Sequence, residues 1–559
     1  MPETIRIAIA QLNPTVGDYA ANTQRILEWV RSAESRSARL IVFPELALSG
    51  YPVWDLANKE RFVAEGLRCL DQIVKATRTL QVHVLLGFID PAPKERAQHS
   101  HNAMAWIHAG KLRGVQHKTL LPTYDVFLEE IFFAPAKKYQ TFQCGDVKVG
   151  PTICEDIWDE RYSVKPVAIQ RKLGAGLIVN ISASPFFRGV AEVREALVKK
   201  HARKTGRPFL YVNQVGGQDD LVFDGRSFFC DPHGRVVYRA PAFQEGLFVF
   251  DWHVRGRQPL AESLKPAKNT AEMYQALVLG VRDYCRKNGF SKTLIGLSGG
   301  IDSALVAAVA VDALGAEAVT GMTLPSQYSS RGSWEDSADL ARRLGIDFRQ
   351  HSLKAKFDFM VGQYLAHYRR EKRPVPKKGT ITLSMENLQA RLRGVELMFL
   401  SNHEGRLLLS TGNKSELAMG YCTLYGDMAG GLCVLGDVYK TDVYRLARYR
   451  NSVSQVIPET ILTKAPSAEL RPHQKDQDTL PPYDLLDEIL DLSIEQNKSR
   501  EAILRHFGRR ATKVRPLVLE VLRKVDHNEY KRRQTPPLIR VTRKAWFGRR
   551  MPITNRFEA

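Results

Sequence analysis

Cysteine is sparse and poorly spaced for cross-linking or for holding a metal. The seven thiols (Cys69, Cys144, Cys154, Cys230, Cys285, Cys422 and Cys433) are odd in number and include no C-x-x-C pair. That excludes an evident disulfide framework or zinc cluster and favours a reducing compartment. Long apolar runs are missing too, none approaching the ~18 residues of a membrane span. The N-terminus opens on the strand-like alternation Ile5-Arg-Ile-Ala-Ile-Ala-Gln-Leu12, without a basic stretch followed by an apolar one. A cytoplasmic chain with no membrane contact is the expectation. Acidic residues are in deficit: 60 stand against 81 Lys and Arg, a net charge of +21. Such an excess suits anionic ligands. The basic residues are dispersed and no basic-aromatic platform motif is present, so a nucleotide is expected and a nucleic acid is not.

The chain does have length and apolar content. Its 559 residues suggest roughly two to four domains, and 44% hydrophobic residues can fill a large core. One stretch organises the second half: Thr293-Leu-Ile-Gly-Leu-Ser-Gly-Gly-Ile-Asp-Ser303. An apolar strand leads into Ser298-Gly299-Gly300, and a helical pattern follows from Ile301 to Leu314. Adjacent glycines permit positive φ and close backbone approach, and a helix N-terminus attracts phosphate. No Gly-Lys-Ser/Thr follows, which excludes the Walker loop. Strands at Ala318–Leu324, Phe348–Leu353 and Leu407–Ser410, with a helix at Ser333–Leu344, imply a parallel doubly wound sheet with its ligand at the carboxyl ends of the strands.

In the first half, strands are expected at Ile5–Leu12, Leu40–Glu45, Val82–Phe88, Ala103–His108, Val147–Cys154, Gly176–Ser182, Pro208–Val215, Ser227–Cys230 and Leu247–Trp252. Helices are expected near Asn22–Ser35, Lys59–Thr77, Lys165–Leu173 and Ala191–Thr205, an alternation that implies layered sheets and helices. Glu45 and Cys154 stand at the ends of apolar strands, and Lys118 lies in His117-Lys-Thr-Leu-Leu-Pro-Thr-Tyr124. Strand ends open onto loops and position reactive groups. A thiol attacks carbonyl carbon as thiolate, a carboxylate can take its proton, and an ammonium can stabilise an oxyanion.

The three together resemble the Glu-Lys-Cys core of the nitrilase/carbon–nitrogen hydrolase superfamily. The resemblance implies an α-β-β-α sandwich and amide hydrolysis through a thioester, with Glu45 as general base, Lys118 as oxyanion stabiliser and Cys154 as nucleophile. Tyr124, Ser182 and Arg188 are similar to the glutamine-binding positions of its glutaminase branch. The glycine loop resembles the SGGxDS signature of the ATP pyrophosphatases. Both halves fit one family, because ENLQARLR, STGNKSE, GYCTLYGD, DVYKT, PSAEL and DQDTLPPY occur in the order found in glutamine-dependent NAD(+) synthetases.

That resemblance implies an α/β chain: a nitrilase-like glutaminase domain at 1–258, a linker at 259–270, and a doubly wound synthetase domain at 271–559. It implies ATP as a substrate and Mg²⁺ as cofactor. Gly296, Leu297, Ser298, Gly299, Gly300, Ile301, Asp302, Ser303 and Thr411 would bind ATP, and Asp302 and Glu416 the metal. Asn387, Glu416 and Lys531 would contact deamido-NAD, with Lys440 a weaker phosphate candidate. A homo-oligomer, at least a dimer through the synthetase domain, is implied, as is an enclosed ammonia passage. The competing expectation is a nitrilase-type amidase with a regulatory nucleotide-binding domain, which would hydrolyse glutamine without stoichiometric use of ATP.

Overall fold

Strands that are apolar on both faces need cover on both sides, and this requirement builds the first of two compact units, Met1–Ala267 and Lys268–Ala559. The structure is a computed structural model that describes residues 4–92, 100–254, 269–377, 379–472 and 474–557.

The first unit contains two six-stranded sheets. One joins β1 (Thr4–Gln11), β2 (Leu40–Val42), β3 (His83–Pro91), β4 (Ser100–His108) and β5 (Lys111–His117), with β14 (Gly246–His253) beside β1. The other runs β13 (Val236–Arg239), β12 (Phe228–Cys230), β9 (Phe209–Asn213), β8 (Leu177–Ser182), β7 (Val147–Ile153), β6 (Phe142–Cys144). A separate hairpin pairs β10 (Val215–Gln218) with β11 (Leu221–Asp224). Each large sheet has a parallel centre, β1–β2–β3 or β7–β8–β9, flanked by antiparallel strands.

Alternation sorts the side chains between layers. Ile7, Ile9, Val42 and Leu85 meet Val149, Val179, Ile181 and Val212 between the sheets. On the outer face of the first sheet, Ile41, Phe43, Val84 and Leu86 pack on Ile26 and Val30 of helix Tyr19–Ser35 and on Leu70 and Ile73 of helix Glu60–Ala76. On the second, Ile178, Phe209 and Tyr211 meet Val167 of helix Pro166–Lys172 and Val198 and Ala202 of helix Val190–Thr205. The result is the four-layer α-β-β-α sandwich. Strands β5, β6, β10, β11 and β13 were not anticipated; they are short or carry the charges of edge positions, which weakens any apolar signal.

The second unit is a five-stranded, wholly parallel sheet. Its order is β17 (Asp347–Gln350), β16 (Val319–Thr323), β15 (Thr293–Gly296), β18 (Leu407–Ser410), β19 (Leu432–Cys433). Chain order therefore reverses between β15 and β18, the switch point at which such sheets place ligands. Helix Ile301–Leu314 leaves β15, and helix Arg331–Leu344 joins β16 to β17. A helical layer carries its own core, including Leu417, Ile489, Val518, Val521 and Trp546. The helix expected from Ala271 starts at Asn269; the rest of the expected 259–270 linker lies outside the described residues.

Two candidate active sites

Glu45 sits past the end of β2, in a turn pressed onto β3. A Cβ on Gly87 would lie 2.3 Å from the Pro44 carbonyl oxygen, so only glycine lets the turn approach so closely. The strand itself stops at Val42, short of the expected Glu45. Likewise β7 stops at Ile153, and Cys154 opens a helical turn with φ of +43°. Asp156 ties that turn to the Lys118 loop: its carboxylate accepts from the backbone N–H groups of Ile153, Thr119 and Leu120 at 2.9, 3.0 and 2.9 Å. Burial pushes Asp156 up to about 6 against the pull of those bonds.

Lys118 is fully buried and donates to Glu45 Oε1 at 2.7 Å and to Glu129 Oε1 at 2.8 Å. Glu45 also accepts from Asn102 Nδ2 at 2.7 Å and from the Ala183 N–H at 2.8 Å. Glu129, a second carboxylate on the same ammonium, accepts from the Tyr51 hydroxyl at 3.0 Å. Burial raises Glu129 to about 7, Lys118 opposing and Glu45 reinforcing the shift. Cys154 is 5% exposed. Burial, then Glu45, push its thiol well above the usual range, and Lys118 works the other way. Such a thiol stays protonated until a neighbouring carboxylate takes the proton. The sequence motifs did not single out Glu129, Tyr51, Asn102 or Asp156.

Tyr124 reaches Glu155, the residue after Cys154, with its hydroxyl 3.0 and 2.9 Å from the two carboxylate oxygens. Tyr162 donates to the same carboxylate at 3.0 Å, and burial lifts Glu155 to about 7 against Lys118 and both tyrosines. Ser182 is buried and its hydroxyl donates to Asn180 Oδ1 at 2.7 Å. Arg188 is half-buried in the turn before helix Val190–Thr205. The neighbouring turn is fixed by Arg194, whose buried guanidinium holds Asp224 at 2.6 Å and donates to the Ser184 and Pro185 carbonyl oxygens at 2.6 and 2.8 Å.

In the second unit, Gly296 ends β15, and Leu297 to Gly300 lead into the helix that carries Ile301, Asp302 and Ser303. Gly299 has φ of +72°, and a Cβ there would lie 2.2 Å from the Ser333 carbonyl oxygen. The Ser298 hydroxyl accepts from the Gly300 N–H and lies 3.2 Å from that of Ser303, closing the turn. Thr411 follows β18 across the switch point, just before Asn413, which caps helix Lys414–Met419 by accepting from the Glu416 N–H at 3.0 Å. Asn413 also donates to Asp302 Oδ1 at 2.9 Å. Lys440 donates to Asp302 Oδ2 at 2.5 Å and to Glu416 Oε1 at 3.1 Å. Burial raises Glu416 to about 8 despite Lys440.

Asn387 and Lys531 lie elsewhere, on either side of one segment. Thr423 donates to Asn387 Oδ1 at 3.1 Å, and Lys531 donates to the Gly420 and Cys422 carbonyl oxygens at 2.7 and 2.9 Å. A further buried cation, Lys414, lies within the STGNKSE motif but was not singled out there. It meets Asp437 at 2.8 Å, Thr542 Oγ1 at 2.7 Å, the Lys544 carbonyl oxygen at 2.8 Å, and Glu495, beneath the Tyr439 and Trp546 rings. Among the described residues no group of three or more His, Cys, Asp or Glu is suited to a metal. Two converging hard carboxylates nevertheless fit Mg²⁺, which takes one or two such ligands and completes its shell with water and substrate phosphates.

Residues 6–257 match the carbon–nitrogen hydrolase family and residues 273–535 the NAD synthase family. The glutamine-dependent NAD(+) synthetase of Synechocystis sp. is 43% identical, and that of Thermotoga maritima 42%, each over 99% of both chains. The solved glutamine-dependent NAD+ synthetase of Acinetobacter baumannii, determined with ADP, is 37% identical with a TM-score of 0.76, covering 99% of each chain. A second solved structure, from Cytophaga hutchinsonii, has a TM-score of 0.82 at 22% identity and shares the fold. A nitrilase-type sandwich followed by a doubly wound unit, matched end to end at this identity, makes the chain a member of the glutamine-dependent NAD(+) synthetases.

Proposed function

We propose that this protein is a cytoplasmic ligase that amidates deamido-NAD to NAD, using ATP and ammonia released from L-glutamine. The glutaminase half is assigned to 1–258, the connection to 259–270 and the synthetase half to 271–559. Cys154 Sγ attacks the side-chain amide carbon of glutamine while its proton passes to Glu45. Lys118 stabilises the oxyanion, ammonia leaves with a proton returned by Glu45, and water cleaves the thioester to glutamate. Tyr124, Ser182 and Arg188 orient the glutamine, Arg188 matching its α-carboxylate with a guanidinium.

In the synthetase half, the nicotinate carboxylate of deamido-NAD attacks the α-phosphorus of ATP and expels pyrophosphate. Ammonia then attacks the acyl carbon and AMP departs, giving NAD. Residues Gly296 to Ser303 and Thr411 hold the nucleotide, while Asn387, Glu416 and Lys531 contact the dinucleotide. Asp302 and Glu416 would hold Mg²⁺, whose chemistry is to neutralise charge on the phosphates. The exposed apolar side chains Leu383, Val395 and Phe399 on helix Leu383–Glu404 support a dimer through the synthetase half.

The observation that carries the reading is Lys118 bonded to both Glu45 and Glu129 beside Cys154, with a second, separate carboxylate pair at the switch point of the other unit. The test is Cys154→Ala. Glutamine-supported NAD formation should vanish while ammonium-supported formation persists; loss of both activities in a folded variant would refute two separable sites. Stoichiometric AMP and glutamate would set aside the amidase with a regulatory domain.

A further inference from the structure

The ammonium lodged between Asp302 and Glu416 has no part in the chemistry above. Lys440 Nζ lies 2.5 Å from one carboxylate and 3.1 Å from the other, and its side chain is 2% exposed. That is the position a cation must take to use both carboxylates. Two cations cannot share it, because like charges at contact in a partly dry site repel strongly. Taking the assignment of Asp302 and Glu416 to the metal as given, we propose that Lys440 is an internal counter-ion. It holds these carboxylates closed against free divalent metal and releases them when the triphosphate arrives.

Three features support this. First, two shielded carboxylates side by side without a positive partner are costly, so a built-in cation keeps the pair assembled before substrate binds. Second, Asp302 does not depend on Lys440 alone for its orientation, and the backbone that carries Glu416 is pinned independently of it. Asn413 holds the other oxygen of Asp302 at 2.9 Å, and its own side-chain oxygen fixes the Glu416 N–H at 3.0 Å. When the ammonium swings away, Asp302 and the helix start that carries Glu416 remain held.

Third, Lys440 has a route out and a place to go. It is the first residue of helix Lys440–Val453, and lysine is a point charge on a flexible stem, so rotation about side-chain torsions suffices. The face of Tyr483 already lies 5.3 Å from the ammonium, and phosphate oxygens offer a new anionic partner. Metal and triphosphate then both favour the released state, so each raises the other's affinity by the same factor.

The test uses Mn²⁺ as the probe, measured by loss of the free-ion electron paramagnetic resonance signal on the full chain without nucleotide. Lys440→Met should bind Mn²⁺ about tenfold or more tightly than the wild type, and the gain should disappear in Asp302→Asn/Lys440→Met. Unchanged or weaker binding by a folded Lys440→Met, or a gain that survives the double substitution, overturns the proposal. Lys440→Gln carries the same expectation should the methionine variant fail to fold. A separate arm protects the distinction from the metal assignment itself. If Asp302→Asn alone leaves Mn²⁺ binding in the presence of ATP unchanged, the assignment falls and the counter-ion with it. If that arm shows weakened binding but Lys440→Met gains nothing, only the counter-ion falls.

Discussion

Replacing Lys118 with methionine removes the one cation that two buried carboxylates share. Methionine keeps the apolar stem, yet Glu45 and Glu129 are left facing one another, with oxygens at most ~5.5 Å apart given their 2.7 and 2.8 Å bonds to the ammonium. Breaking a buried pair from one side costs ~3–5 kcal/mol. Mutual repulsion at that separation is ~3 kcal/mol with an effective dielectric of ~20. Protonating Glu129 relieves the repulsion, and this carboxyl already titrates at about 7 against an ordinary 4.5, because burial outweighs the pull of Lys118. Without Lys118 it must rise further.

The sign of the pH effect follows. A carboxyl raised in the folded state contributes stability that is whole below its unfolded pKa and is lost as pH climbs through the folded one, at ~1.4 kcal/mol per unit. In the wild type that loss ends near 7, while in Lys118→Met it continues. The variant's deficit should therefore narrow by ~2 kcal/mol between pH 8.5 and pH 7, and below 7 the two curves should run parallel. Calorimetry can follow the transition of the N-terminal unit separately, since two compact units need not melt as one. A deficit identical at pH 8.5 and 7 refutes the reasoning. So does a Lys118→Met/Glu129→Gln double variant that retains the same pH dependence.

Gly299→Ala should abolish ammonium-supported NAD synthesis and destabilise the C-terminal unit by ~1–3 kcal/mol, through strain at φ +72° and a Cβ 2.2 Å from the Ser333 oxygen. Acylation of Cys154 by glutamine should survive, and an active alanine variant would mean that the turn tolerates a side chain. Tyr124→Phe removes a hydrogen bond that pulls Glu155 down, so this carboxyl should move above about 7. The acid limb of kcat/KM for glutamine should shift upward with it while ammonium-supported synthesis stays put; an unmoved limb would mean that Glu155 does not set it.

What the sequence made legible was periodic or punctuated. The apolar run into Gly299-Gly300 announced β15 and its helix, and the alternation after it announced a parallel sheet. In the first half, the reading located the neighbourhoods of Glu45 and Cys154, but not the turns that carry them. The backbone leaves the strand three residues early before Glu45 and one residue early before Cys154, under tertiary constraints such as the packing of Gly87 against Pro44. Convergence was beyond reach, since Lys118 and Glu45 are separated by 73 positions and Lys440 and Asp302 by 138. Glu129 was silent for another reason: a carboxylate at the start of a four-residue helix looks like any surface acid until burial gives it away.

The cage around Lys414 gives the last stretch of chain a purpose that family boundaries conceal. The NAD synthase match ends at 535, yet two of the four oxygens around that ammonium, on Thr542 and Lys544, come from beyond it. A protein trimmed at residue 535 would leave Lys414 with half its oxygens next to the Asn413 cap, and the damage would surface around the cap of helix Lys414–Met419 rather than at the cut.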